Sequence, residues 1–296
     1  VENLEFATVV DIGCGQQELL LLAQQNFTAK RYIGIDPVPL RTKSTTLIEH
    51  YQDYFYGSNF ILEKEGGANL FLLDNVLEHI PQLNAFLSNL NKISTYGDYV
   101  YICVPSCEIM KLKLYYQEII HEHVHYFTIK NLTSIFSRFS YELIDGYTTY
   151  IGTRGYNFLL FIKSKRIMSS PDLQGFEEID LKKSFAKFKD VLGSTASYLS
   201  LTNKSFTGIC AGEFTTTTAY HMNTDLSFCD YILDTSPHKA GKLMPGIRPQ
   251  IQIMRDMMNI DPKAFYYITS PELSLQAAMR LASVGVKNVV CPTGIL

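Results

Sequence analysis

The sequence predicts an α/β protein in two parts, a doubly wound, mostly parallel sheet followed by a second, smaller α/β domain. Three observations carry that expectation. Over the first half of the 296 residues, β-rich apolar runs alternate with helical patterns, the order that builds βαβ units. The first run ends in a glycine turn, Gly13-Cys14-Gly15, where a strand hands over to a helix. After polar residues at 164–171, a shorter βα series begins again. The expected boundaries are 1–165 for the first domain, 166–204 for a helical linker and 205–296 for the second domain.

The elements follow in order. Residues 7–13 form a strand, and a leucine-rich helix runs from about Gln16 to Gln25. RYIGID at 31–36 and TTLIEHY at 45–51 read as further strands, and the stretch from Tyr56 to Glu65 reads as helical. NLFLLDN at 69–75 is the fourth strand. A helix is expected from Pro81, with Leu83, Phe86, Leu87, Leu90 and Ile93 on one face, proline in its first turn and Gly97 as its stop. DYVYICVPS at 98–106 is a buried strand. A helix around 128–138 and an antiparallel pair at 141–152 and 156–163 complete the first part.

In the second part, Leu181, Phe185, Phe188, Leu192 and Leu199 line one face of a long helix or helix pair, which reads as core packing. Strands are expected at 205–211, 229–235, 264–269 and 288–293. Ser270-Pro271-Glu272 has the makings of a helix start: a capping hydroxyl, a proline and then an acid near the positive end.

Composition excludes several classes. Apolar residues are 46% and charged residues 19%, enough for sizeable cores and too apolar for disorder. A net charge of -3 with no basic run offers no surface for nucleic acid. Apolar runs are too short to span a bilayer, and no signal peptide is visible. The six cysteines are scattered without a CxxC pair, which reads as reduced, buried thiols of a cytoplasmic protein. Because Val1 lies a few residues before a strand, the natural chain is expected to extend N-terminally.

The sharpest local motif is VVDIGCG, with Asp11, Gly13 and Gly15, followed by Asp36 at the end of the next strand. A glycine turn lets backbone approach a ligand at the mouth of the sheet. An acid about 20 residues on accepts hydrogen bonds from ribose hydroxyls. The spacing also suits a dinucleotide dehydrogenase. Against that, the turn reads Gly13-Cys14-Gly15-Gln16-Gln17-Glu18 and lacks the third glycine of that fingerprint. Cys14 reads as a small filler of the turn, with no base to activate it.

DIGCG, the downstream IGID, LLDNVLEHI and YVYICVPS together resemble class I S-adenosylmethionine (SAM)-dependent methyltransferases. The resemblance implies a Rossmann-like, mostly parallel seven-stranded sheet with SAM as cofactor. It implies that Asp11, Gly13 and Gly15 line the methionine end, that Asp36 holds the ribose, and that Asn75 sits beside the cofactor. A narrower resemblance covers almost the whole chain. IIHEHVHYF at 119–127, LIEHYQDYF at 47–55 and LDTSPHKAGKLMPG at 233–246 are similar to the C-methyltransferases of nucleotide-linked keto-deoxysugars. It implies a small-molecule acceptor of the sugar-nucleotide kind, held in an interdomain cleft, and site residues His123, Glu122 and His79. The sequence departs from that family in three places. No clustered cysteines correspond to its N-terminal zinc-binding domain, Ile120 replaces its tyrosine before HEH, and its glycine-rich second turn is reduced to Gly208-Ile209-Cys210-Ala211-Gly212.

Chemistry gives a separate reason to single out the histidines. Methyl transfer is an in-line displacement governed by positioning, and a carbon or hydroxyl nucleophile must also lose a proton. Histidine titrates near neutrality, and a carboxylate can orient it. The expectation is His123 as general base, with Glu122 and His79 orienting substrate or relaying the proton. A purely structural His79 at a helix start remains open. His121, His123 and His125 would share one face of an extended strand, but no further ligand cluster accompanies them and no metal is expected. Sugar O-methylation and a catalytically inactive SAM-binding scaffold are the alternative functions.

Overall fold

The computed structural model describes residues 5–41, 47–57, 62, 67–151, 154–165, 180–254 and 260–292. Its first strand, β1 (Glu5–Ile12), is buried at every position after Glu5, as a central parallel strand must be. Helix α1 (Glu18–Asn26) and strands β2 (Thr28–Ile35), β3 (Ile48–Tyr51) and β4 (Leu70–Asp74) follow. Next come α2 (Leu83–Ile93), β5 (Tyr99–Pro105), α3 (Cys107–Lys113), α4 (Ile129–Ser137), β6 (Tyr141–Ile151) and β7 (Arg154–Lys163). The seven strands form one sheet in the order β3-β2-β1-β4-β5-β7-β6. β1 to β5 are parallel, and β7 runs antiparallel to β5.

Alternation along β4 shows how the layers are filled. Phe71 and Leu73 join the core under α2 and α4, whereas Leu70 and Leu72 face the cluster that holds Leu20 and Ala23 of α1. On the α1 side, residues of α1, β1, β5 and β7, among them Phe6, Leu22, Tyr99, Tyr101 and Phe158, line an apolar groove of about 740 Å³. The reversal of strand order between β1 and β4 opens a crevice at their carboxyl ends, the usual ligand position in such sheets.

The chain divides into two compact units. The first is Val1–Glu108, His121–Ile151 and Gly155–Glu178; the second is Ile109–Ile120, Gly152–Arg154 and Ile179–Leu296. The second unit contains α5 (Leu181–Leu201), β8 (Phe206–Ile209), α6 (Thr215–Met222), β9 (Cys229–Asp234), β10 (Ile251–Ile253), β11 (Phe265–Ile268), α7 (Ser274–Ser283) and β12 (Val289–Val290). Its five strands are ordered β10-β9-β8-β11-β12 and all pair in parallel. This is the order of the first five strands of the larger sheet. The core of α5 is intramural: Phe188 is fully buried, with its ring 5.6 Å from Tyr116 and 5.2 Å from His221, all three in the second unit.

Several expectations shift in detail. The helix expected over Tyr56–Glu65 lies largely outside the described residues, as does most of the polar stretch at 164–171. Pro81 precedes α2, whose N-cap is Gln82, so proline is not in its first turn. Ser270 donates its hydroxyl to the Glu272 carboxylate instead of capping, and the segment enters as a 3-10 turn, Pro271–Leu273, before α7. Among the described residues, no helix is long and apolar enough to cross a membrane.

Candidate active site

Two features converge at the carboxyl ends of β1, β2 and β4, the first being the glycine turn. After β1 the chain must reverse within five residues to enter α1. Gly13 does so at φ +79°, and its missing Cβ would stand 2.5 Å from Val76 Cγ2, so both backbone conformation and space demand glycine. The Gly13 amide donates to the Ile35 carbonyl across 2.7 Å and locks the turn to the end of β2. Asp36 follows at once. Its Oδ2 accepts from Gly15 N at 2.9 Å and its Oδ1 from Val38 N at 2.8 Å, fixing a carboxylate at the crevice with lone pairs to spare. Cys14 is buried with its Sγ 3.9 Å from His50 Nδ1, a neighbour the sequence did not indicate, and its thiol is pushed up to about 12, mainly by burial, which disfavours the thiolate.

The electrostatics are anionic. Asp11 is 2% exposed, and its carboxyl is pushed up to about 7, first by burial, then by Asp74 and Asp36. Asn75, at φ +54°, ends β4 and donates from Nδ2 to Asp74 Oδ1 at 2.9 Å. Above Gly15, no heavy atom lies within 4 Å of where a Cβ would stand. A ligand carrying positive charge and a ribose suits this space, because it relieves the carboxylates' mutual repulsion and supplies hydroxyls to Asp36. S-adenosylmethionine, with its sulfonium, ammonium and ribose, has those properties. Asp11, Gly13, Gly15, Asp36 and Asn75, the residues expected to hold it, all stand at this crevice.

The second feature is a histidine cluster. The 3-10 turn Leu77–His79 follows β4, and the Glu78 carbonyl accepts from the amides of Val124 at 2.8 Å and His125 at 3.2 Å. Those two bonds draw the HEHVH segment onto the turn. His79 Nδ1 then donates to the Glu122 carbonyl at 3.0 Å, and the rings of His79 and His123 meet edge to face, 4.9 Å between centroids.

The three histidines of HEHVH do not share a face. The segment is irregular, and His121 lies 3.8 Å from the Glu122 carboxylate at the surface. His125 Nε2 instead lies 3.0 Å from the Ile80 carbonyl. Thus His79 and His123 come together, while the Glu122 carboxylate is directed to His121. The carboxylate grouped with His79 and His123 is that of Glu78. Glu78 is 2% exposed, its carboxyl pushed up to about 7 chiefly by burial. The sequence offered it only as the neighbour of His79 in NVLEHI; its backbone carbonyl is bonded by a segment more than forty residues away.

Residues 2–145 match a family model described as a methyltransferase domain. No curated protein matches the chain. Similar solved structures include a Listeria monocytogenes protein described as a SAM-dependent methyltransferase, 13% identical over 56% of this chain and 94% of that one, with a TM-score of 0.42. Another is the 1,6-didemethyltoxoflavin-N1-methyltransferase of Burkholderia thailandensis with bound S-adenosylhomocysteine, 12% identical over 54% of this chain and 72% of that one, TM-score 0.42. A third is the N-methyltransferase NodS of Bradyrhizobium japonicum, 13% identical over 54% and 86%, TM-score 0.39. A methyltransferase domain is matched over residues 2–145, just under half of the chain, and the acidic glycine turn lies within it.

Proposed function

We propose that the protein methylates a nucleotide-activated sugar, at carbon, in the cytoplasm, and that its second unit carries a nucleotide-binding turn of its own. One observation carries the reading. In the second unit Asp234 repeats the arrangement of Asp36: its Oδ2 accepts from Ala211 N at 2.9 Å and its Oδ1 from Ser236 N at 2.8 Å. The turn before it matches as well, since Cys210 N donates to the Leu233 carbonyl at 2.9 Å as Gly13 N does to Ile35. The same acid-and-turn arrangement in each unit suits a ribose at each, and so two nucleosides.

Charge separates the two turns. The first is surrounded by Asp11 and Asp74, which suits a cation. Beside the second stands Lys239, whose Nζ donates to the Ala211 carbonyl at 2.8 Å and to Asp234 Oδ2 at 3.3 Å. A cation there suits phosphate groups.

When bound, the cofactor supplies an electrophilic methyl group on a sulfonium. Asp36 and the glycine turn would hold its ribose and methionine ends, and His123 would take the proton from the acceptor carbon, whose freed electron pair accepts the methyl group as S-adenosylhomocysteine leaves. His79 orients the acceptor, and Glu122 fixes the His79 ring through its backbone carbonyl.

Calorimetry with thymidine or uridine diphosphate and with S-adenosylhomocysteine tests the division of labour. Asp234→Ala is expected to weaken nucleotide diphosphate binding tenfold or more and leave S-adenosylhomocysteine unaffected; Asp36→Ala is expected to do the reverse. A nucleotide diphosphate bound equally well by the Asp234→Ala protein would remove the basis for an activated sugar.

A further inference from the structure

Glu78, His79 and His123 each offer one ligand atom within 4.8 Å of the other two. We propose that these three side chains bind a divalent transition-metal ion, in the zinc, manganese or iron class. A ring nitrogen that binds the ion has no lone pair for a proton, so this role of His123 competes with the general-base role proposed above; binding of the ion does not depend on the methyltransferase reading.

Three observations converge. First, Glu78 is 2% exposed, and neither carboxylate oxygen has a hydrogen-bond partner among the described residues. An ionised carboxylate left so is costly unless a cation meets it. Second, the bond from His79 Nδ1 to the Glu122 carbonyl fixes the tautomer. The proton sits on Nδ1, and Nε2 keeps its lone pair, the outer-shell arrangement that metal-binding histidines use. Third, the edge-to-face contact at 4.9 Å holds the His123 ring beside that of His79. Metal–ligand bonds of about 2.0–2.2 Å bring donor atoms within about 3–4 Å of one another, which side-chain rotation reaches from the present spacing.

Two imidazoles and one carboxylate suit an ion of intermediate softness and not magnesium or calcium, which prefer oxygen alone. Three protein ligands also leave positions for an outside oxygen, as open metal sites do. Exposure of His79 gives that oxygen a route from solvent. His121 and His125 are excluded from the set by their own contacts, so the site differs from a histidine row along one strand.

Cobalt(II) is the probe, because its ligand-field absorption reports imidazole and carboxylate ligation directly. The full chain, stripped with chelator, is expected to take up one equivalent of cobalt(II) with visible bands. Glu78→Gln, which keeps the side-chain volume, and His123→Ala are each expected to weaken uptake at least tenfold. S-adenosylhomocysteine binding, followed in parallel, reports that both variants are folded. Absence of visible bands in the wild type, or equal cobalt affinity in both variants, overturns the proposal. If S-adenosylhomocysteine still binds in that case, the metal site alone has failed; loss of S-adenosylhomocysteine binding by the wild type would instead strike the methyltransferase reading.

Discussion

His79 donates from Nδ1 to the backbone carbonyl of Glu122 across 3.0 Å, so a ring on the turn after β4 pins a segment 43 residues later. The amides of Val124 and His125 bond the Glu78 carbonyl from the same segment. His79→Ala removes the side-chain tie and spares the backbone pair. Amide exchange over 121–126 is expected to accelerate while S-adenosylhomocysteine affinity stays within about threefold. Unchanged exchange would mean that the two backbone bonds hold the segment alone and that His79 has no positioning role.

The glycine turn makes a sharper test of shape. An added Cβ at Gly13 would stand 2.5 Å from Val76 Cγ2, at φ +79°. Gly13→Ala therefore combines a steric clash with a left-handed residue that costs about 1–2 kcal/mol on conformation alone. Adding Val76→Ala relieves only the clash. The double variant is expected to regain part of the melting temperature and part of the S-adenosylhomocysteine affinity. Full recovery would show that conformation costs nothing there; no recovery would show that the clash is not the cause.

The pH dependence of cofactor binding follows from Asp11. Its carboxyl has an ordinary value of 3.8 and stands at about 7 in the fold, chiefly through burial. The free protein thus holds an extra proton between those values. The group's favourable share of stability is complete below 3.8 and is lost as pH rises through about 7. A cationic cofactor favours the ionised form, so binding expels the proton. Affinity for S-adenosylmethionine, measured by calorimetry on both sides of pH 7, is expected to rise with pH and level off above it. Asp11→Asn should flatten the profile; a profile that stays steep in that variant assigns the proton elsewhere.

What the sequence made legible was local. Asp11, Gly13, Gly15 and Asp36 sit within one βαβ unit, and spacing alone defines where such residues end up. The helix expected around 128–138 is α4 (Ile129–Ser137), where Thr128 and Asn131 form a capping box that the sequence reading did not use. Features that need tertiary context were not legible. β10 is three residues, Ile251–Ile253, aligned only by pairing with β9. α3, seven residues, sits where the chain leaves the first unit at Glu108. The site shows the same split, since His123 and His79 were evident as residue types, whereas Glu78 entered only once two long-range backbone bonds placed it. Glu118 is the counterpart in the second unit: 6% exposed, with its carboxyl pushed up to about 7 by burial, and unmarked by any motif.

Lys163, at the end of β7, carries the last prediction, about what holds the sheet to α2. It is 8% exposed. Its Nζ donates to the Asn91 carbonyl and Oδ1, both at 2.7 Å, and to the Ser94 carbonyl at 3.1 Å and hydroxyl at 3.0 Å. These are carbonyls at the C-terminus of α2, which lack partners within the helix and carry its negative end. Burial holds the ammonium below its usual range, with Asp98 opposing, so the charge persists because those oxygens surround it. Lys163→Met keeps the apolar stem and removes every donor. The expected loss is about 2–3 kcal/mol, the scale of hydrogen bonds to a charged group together with the acceptors left buried. It should appear in the unfolding transition that S-adenosylhomocysteine shifts, as a lower urea midpoint at constant slope. An unchanged midpoint would mean that water serves those carbonyls equally well, and that apolar packing alone joins α2 to β7.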